Sequence, residues 1–134
     1  MSEKQTIMKT LENQRAEFAL LCVKNIVAAY SKEEKEKYKG NVKKIPMLIK
    51  TNGLGNTLAF MRSRKEHKLI YDHLSNWLRK PENPCKTLPE GKDLLEFVIS
   101  ESSPVYRHVT KELIALLTWM KRFADSLIEG EAHD

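Results

Sequence analysis

Cysteine is nearly missing: Cys22 and Cys85 are the only two among 134 residues, and they lack C-x-x-C spacing. A disulfide framework and a zinc knuckle are therefore excluded. No apolar run approaches the roughly 18–20 residues of a membrane-spanning helix, so no membrane partner is expected. Charges at Glu3, Lys4, Lys9 and Glu12 leave no signal-peptide core at this end of the sequence, and a soluble cytoplasmic protein is the expectation. The alternating pattern of strands is almost absent.

Catalytic spacings are missing too. His67, His73, His108 and His133 form no H-E-x-x-H or other ligand spacing. Glu66-His67 and Asp72-His73 could gather a metal with Cys85 only by a special fold, and surface histidines on a charged helix explain them better. There is no G-x-S-x-G and no phosphate-cradling G-x-x-x-x-G-K-[ST]. Gly53-Leu54-Gly55 lacks the strand that would make it a dinucleotide loop. The residues offer no seat for catalysis, no metal site and no cofactor.

What is present is helical periodicity. A hydrophobic share of 41% over 134 residues suffices for one domain spanning 1–134. From Glu3 to Tyr30, Met8, Leu11, Phe18, Cys22, Ile26 and Ala29 recur at steps that lay them on one helical stripe. Arg15 falls inside that stripe, which points to a snorkelling stem, an internal pair with a carboxylate, or an arginine at a subunit or phosphate contact. Ser31-Lys32-Glu33-Glu34 has capping-box spacing. The charged run Lys32 to Lys39 reads as a solvated turn or short helix, followed by a second helix with Pro46 in its first turns. Asn52-Gly53 suits a helix C-terminus.

Leu54 to Lys65 and Glu66 to Lys80 read as two further helices, and Pro81, Pro84 and Pro89 punctuate a loop around 81–91. A short helix follows over Lys92 to Ser100. Ser103 reads as the N-cap of the last helix, with Pro104 at the first helical position, and that helix runs to Gly130. Its Val109, Leu113, Leu116, Met120, Phe123 and Leu127 form a heptad-like seam, and Ile114 faces away from it, toward neighbouring helices or a partner. The fold expected is an all-α, single-domain bundle of about six helices with long first and last members.

Twenty-three Lys and Arg against eighteen Asp and Glu leave a net charge of +5. Lys43, Lys44, Lys50, Arg62, Arg64, Lys65 and Lys68 cluster with Glu66 as the one acid among them. Such a patch neutralises phosphates and releases counterions, so its binding weakens with salt. Arg107, Lys111, Lys121 and Arg122 extend the basic surface, diluted by Asp125 and Glu129. Trp77, Phe97 and Phe123 belong in stripes and read as core. Phe60 lies off the Leu54–Leu58–Met61 line and must meet a second surface, another helix or another chain.

At TNGLGNTLAFMRSR the sequence resembles the small subunit of the type III-B CRISPR effector, the Cmr complex. LENQRAEFALLCV, KKIPMLIKTNGLG, HLSNWL and YRHVTKELIALLTWMKRFADSLIEGE carry the likeness along most of the chain in the same order. The resemblance implies a helical protein without catalytic activity of its own. It implies partners: the other effector subunits, further copies of itself stacked along the complex, and the guide RNA with its target RNA. On charge and position, Lys44, Lys50, Arg62, Lys65 and Lys111 are the expected RNA-backbone contacts. Arg15, Asn52, Gly53, Phe60 and Ile114 are expected at subunit contacts or in structural roles, with Asn52 capping and Gly55 permitting close helix approach. The competing reading is a free-standing DNA regulator of helix-turn-helix type, since Thr51-Asn52-Gly53 joins two helices; Leu54, Leu58 and Phe60 leave its second helix little polar surface for reading bases.

Overall fold

The computed structural model describes residues 3–130, with side chains from Thr10 onward, so the side chain of Met8 and all of His133 lie outside the described residues. Six α-helices follow one another: α1 Glu3–Ala29, α2 Lys32–Asn52, α3 Leu54–Arg62, α4 Lys68–Arg79, α5 Leu94–Ile99 and α6 Ser103–Leu127. A 3-10 turn, Lys65–His67, joins α3 to α4. No strand occurs among the described residues, and none of their helices is long and apolar enough to cross a membrane.

Helix α6 packs along α1 and α2. Its Val109, Leu113, Leu116 and Met120 are fully buried, as the seam predicts. Farther along, the buried positions are Leu117, Ala124 and Ile128, while Phe123 is half-buried and Leu127 exposed. A straight helix drifts by about 20° per heptad, so the stripe rotates off the seven-residue register and the last two seam positions leave the core. Ile114 is half-buried against the same core. The N-cap is Ser102 rather than Ser103, which makes Ser103 the first helical residue and Pro104 the second, and the helix ends at Leu127 rather than Gly130.

The second helix departs most from expectation. The capping box at Ser31 forms, with Glu34 N–H donating to Ser31 Oγ and the Ser31 N–H to the Glu34 carboxylate. From there one helix continues unbroken to Asn52, with Pro46 in its interior rather than its first turns. Tyr38, Val42, Ile45 and Ile49, spaced at helical intervals, are all buried. Their combined burial, about 1.5–3 kcal/mol per large side chain, outweighs the roughly 3 kcal/mol an interior proline costs. The charged run before them is not merely solvated: Lys39 Nζ donates to the carbonyls of Ile128 and Gly130, each at 3.0 Å, and so closes the end of α6.

Gly53 is both the C-cap of α2 and the N-cap of α3, at φ 87° and ψ 159°. Its N–H reaches Ile49 O at 2.8 Å. Asn52 therefore does not cap; it is the last residue of α2, and its carbonyl accepts from Asn56 Nδ2. Gly55 lies against α6, where its N–H donates to Tyr106 Oη at 2.7 Å and an added Cβ would stand 3.3 Å from that oxygen. The segment around 81–91 is pinned down: Leu88 N–H donates to Leu78 O, Asn83 binds both Leu78 O and Lys80 O, and Cys85 and Leu88 are buried.

Arg15 resolves as an internal ion pair. Its Nε and Nη2 reach the two oxygens of Glu112 at 2.8 and 2.7 Å, joining α1 to α6. Glu112 is only 4% exposed and also accepts from Trp77 Nε1 of α4 at 2.9 Å. Glu12 holds the remaining arm of Arg15 at 2.7 Å and accepts from Trp119 Nε1.

Candidate nucleic-acid interface

Four of the clustered basic residues, Arg62, Arg64, Lys65 and Lys68, converge where α3 gives way to α4. Met61 and His67 are buried, and the five residues between them, Arg62 to Glu66, all face solvent. The chain turns here because α3 stops: the Ser63 hydroxyl donates to Phe60 O at 2.7 Å, and Arg64 N–H takes Met61 O. Asn41 of α2 braces the turn through Glu66 O at 3.4 Å. The outcome is a concavity of about 410 Å³ lined by Arg62, Arg64, Lys65 and Lys68 together with Tyr71, Asp72 and Asp93.

These cations differ in how they are held. Arg62 Nη1 lies 3.1 Å from Asp93 Oδ2, and Lys68 Nζ lies 3.0 Å from Asp72 Oδ2. Arg64 is only loosely paired, at 4.0 Å from Glu66, and its guanidinium sits 5.0 Å above the Phe60 ring. Lys65 makes no ion pair among the described residues. Partial burial opposes ionisation of Asp93, but the Tyr71 hydroxyl, the Glu96 N–H and Arg62 outweigh it and hold the carboxyl below its usual range. Burial pushes the His67 imidazole down; Glu66 works against this, while Lys44 and Arg64 add to it. His67 is accordingly neutral near pH 7, and its charge does not contribute to the patch.

Of the five expected phosphate contacts, Arg62 and Lys65 line the same concavity, whereas half-buried Lys44 is not among its lining residues. Lys50 and Lys111 do not share it. Lys50 is exposed in the last turn of α2, on one outward stripe with Lys43 and Met47. Lys111 is exposed on α6, one turn from Arg107. Neither is ion-paired among the described residues. Phe60 finds its second surface within its own chain, since its ring meets the His67 imidazole at 5.3 Å and Arg64 above it.

Sequence reasoning left out three residues that shape the site. Asp72 was open to discovery as the i+4 partner of Lys68. Asp93 and Tyr71 carried no local signal, because they reach the basic turn only through the packing of α4 and α5. Their arrival makes the patch less one-sided than the sequence window. No group of three or more His, Cys, Asp or Glu side chains among the described residues is placed to hold a metal ion. Cys22 and Cys85 are both buried, and the Cys85 thiol contacts His108 O rather than a histidine ring.

Comparison with known proteins follows the same lines. Residues 11–127 match the family described as "CRISPR-associated protein (Cas_Cmr5)". The chain is 28% identical over 130 residues to "CRISPR system Cmr subunit Cmr5" of Thermotoga maritima, covering 95% of this chain and 92% of that protein. It is 30% identical over 99 residues to the Cmr5 subunit of Thermus thermophilus, covering 72% of this chain and 80% of the relative. The crystal structure of a CRISPR-associated Cmr5 family protein from Thermus thermophilus superposes with a TM-score of 0.69 at 28% identity, covering 89% of this chain and 97% of that one.

Proposed function

Because the chain belongs to the Cmr5 family, the small subunits of the type III-B CRISPR Cmr complex, we propose that it is a non-catalytic RNA-backbone-binding subunit of that effector. In this reading several copies stack along a cytoplasmic ribonucleoprotein and support the pairing of guide RNA with target RNA. The observation that carries it is the concavity at the turn after α3, where solvent-facing Arg62, Arg64, Lys65 and Lys68 outnumber Asp72 and Asp93. Point charges on a turn suit phosphates rather than base edges, and a machine that reads sequence through RNA pairing needs only such contacts from its protein. Exposed Lys50 and Lys111 supply further contacts on other faces.

The DNA-regulator alternative is disfavoured by the helix after the turn. Leu54, Thr57, Leu58 and Met61 of α3 are buried, which leaves that helix short of polar side chains for a major groove.

The test is purification of the tagged chain from its host, with native mass spectrometry of the eluate. Several protein subunits, more than one copy of this chain and a bound small RNA are expected. The same complex carrying Arg62→Glu with Lys65→Glu should bind target RNA at least tenfold more weakly at moderate salt. A bare monomer, or unchanged RNA binding by the charge-reversed complex, overturns the reading.

A further inference from the structure

Resting on the backbone-contact reading, we propose that the concavity beside the 3-10 turn is a phosphodiester site held partly closed by two resident carboxylates. Asp93 and Asp72 occupy Arg62 and Lys68, and an entering phosphate displaces them.

The geometry makes this exchange inexpensive for the protein. Asp93 does not depend on Arg62: its Oδ1 accepts from the Tyr71 hydroxyl at 2.7 Å, and its Oδ2 accepts from Glu96 N–H at 3.2 Å. When Arg62 leaves, that carboxylate stays satisfied. Asp72 is 47% exposed, so water replaces Lys68. Ion pairs this exposed hold their partners weakly. A phosphodiester presents the same kind of oxygen acceptor, can engage Arg62 at two points, and lies beside Arg64 and Lys65, with which neither Asp72 nor Asp93 forms an ion pair.

Such a site binds RNA weakly in one copy and well in several. Competition at each concavity lowers single-site affinity, so stray RNA is not retained. Copies arranged along one RNA restore binding through effective concentration.

The experiment compares the full-length chain with Asp93→Asn, Asp72→Asn and Glu17→Gln. A short labelled single-stranded RNA and the corresponding RNA duplex are titrated at about 50 and about 200 mM salt. Asparagine keeps the cap on α5 with its one amide oxygen and turns its amide nitrogen toward the Tyr71 hydroxyl, which then accepts; Asp72→Asn alters only a half-exposed side chain, and a thermal midpoint close to that of wild type checks that each variant is folded. Each aspartate variant should bind about two- to fivefold more tightly at the lower salt, and the double variant more tightly than either. Glu17→Gln makes the same change in net charge at an exposed position of α1 that does not line the concavity, and should leave affinity nearly unchanged. Arg62→Gln added to Asp93→Asn should erase that gain. If wild type binds and Asp93→Asn binds no better, or Glu17→Gln gains equally, the gating inference fails while the backbone reading stands. If no form binds RNA even within the assembled complex, the backbone reading fails and the inference with it. Preference for single strand or duplex identifies which source supplies the phosphate.

Discussion

Removing Arg15 while keeping its bulk should destabilise this protein in a strongly pH-dependent way. In Arg15→Met, Glu112 loses both hydrogen bonds to the guanidinium and keeps only the Trp77 indole. A carboxylate that is 4% exposed then has two options. It can remain charged and unpaired, at about 3–5 kcal/mol. Or it can take up a proton, which for a carboxyl of ordinary pKa costs about 4 kcal/mol at pH 7.5 and only about 1 kcal/mol at pH 5. The sign follows: the variant's folded state holds a proton that its unfolded chain has released, so its deficit grows as pH rises and shrinks toward pH 5. Urea titration followed by tryptophan emission suits the measurement, because Trp77 and Trp119 both donate to carboxylates of this network. Arg15→Met should lose about 4 kcal/mol at pH 7.5. Adding Glu112→Gln, which still offers Trp77 an acceptor, should return most of it and abolish the pH dependence. A deficit under about 1 kcal/mol at pH 7.5, an equal deficit at pH 5, or a double variant no better than the single one would refute the reasoning.

Other expectations test other parts of the fold. Pro46→Ala, which lets residue 46 donate within α2, should raise the urea midpoint with a gain of about 1–3 kcal/mol. Gly53→Ala places a side chain at φ 87° and ψ 159°, and should cost about 1–3 kcal/mol in thermal or chemical unfolding. Tyr106→Phe removes the acceptor for Gly55 N–H and should cost about 1 kcal/mol, with faster hydrogen exchange at Gly55. Burial pushes His73 down to about 4 although Asp72 works against it. The unfolded chain therefore binds a proton there first, stability falls as pH drops from about 6.5 toward 4, and His73→Asn should flatten that limb of the pH–stability curve.

How much of this was legible in the sequence depended on range. Helical stripes such as Cys22–Ile26 and Val109–Leu113–Leu116 could be read because period and burial agree locally. The capping box at Ser31 was equally visible. Pro46 misled because its local rule, to sit early in a helix, is overridden by the buried face from Tyr38 to Ile49. Arg15 was visible as a charge inside an apolar stripe, but its partner lies 97 residues away and nothing nearby names it. The same limit applied at the interface. Arg62 and Lys65 were readable as clustered charge, whereas Asp93, brought in across 31 residues, became part of the site only through the fold.

The spacing between helices also dictates where this chain can change length. Gly53 alone separates α2 from α3, and only two residues part α1 from α2. One inserted residue at such a joint turns the following helix by about 100° and swings its apolar stripe out of the core. The stretch between Arg79 and Leu94 is different, since its buried anchors Asn83, Cys85 and Leu88 are followed by an exposed tip from Pro89 to Lys92. Gly91 has open space around it but holds φ 78°, so the glycine itself is kept and added residues enter beside it. Insertions, reporter labels and affinity handles therefore belong at Glu90–Gly91, where they leave every helix in register.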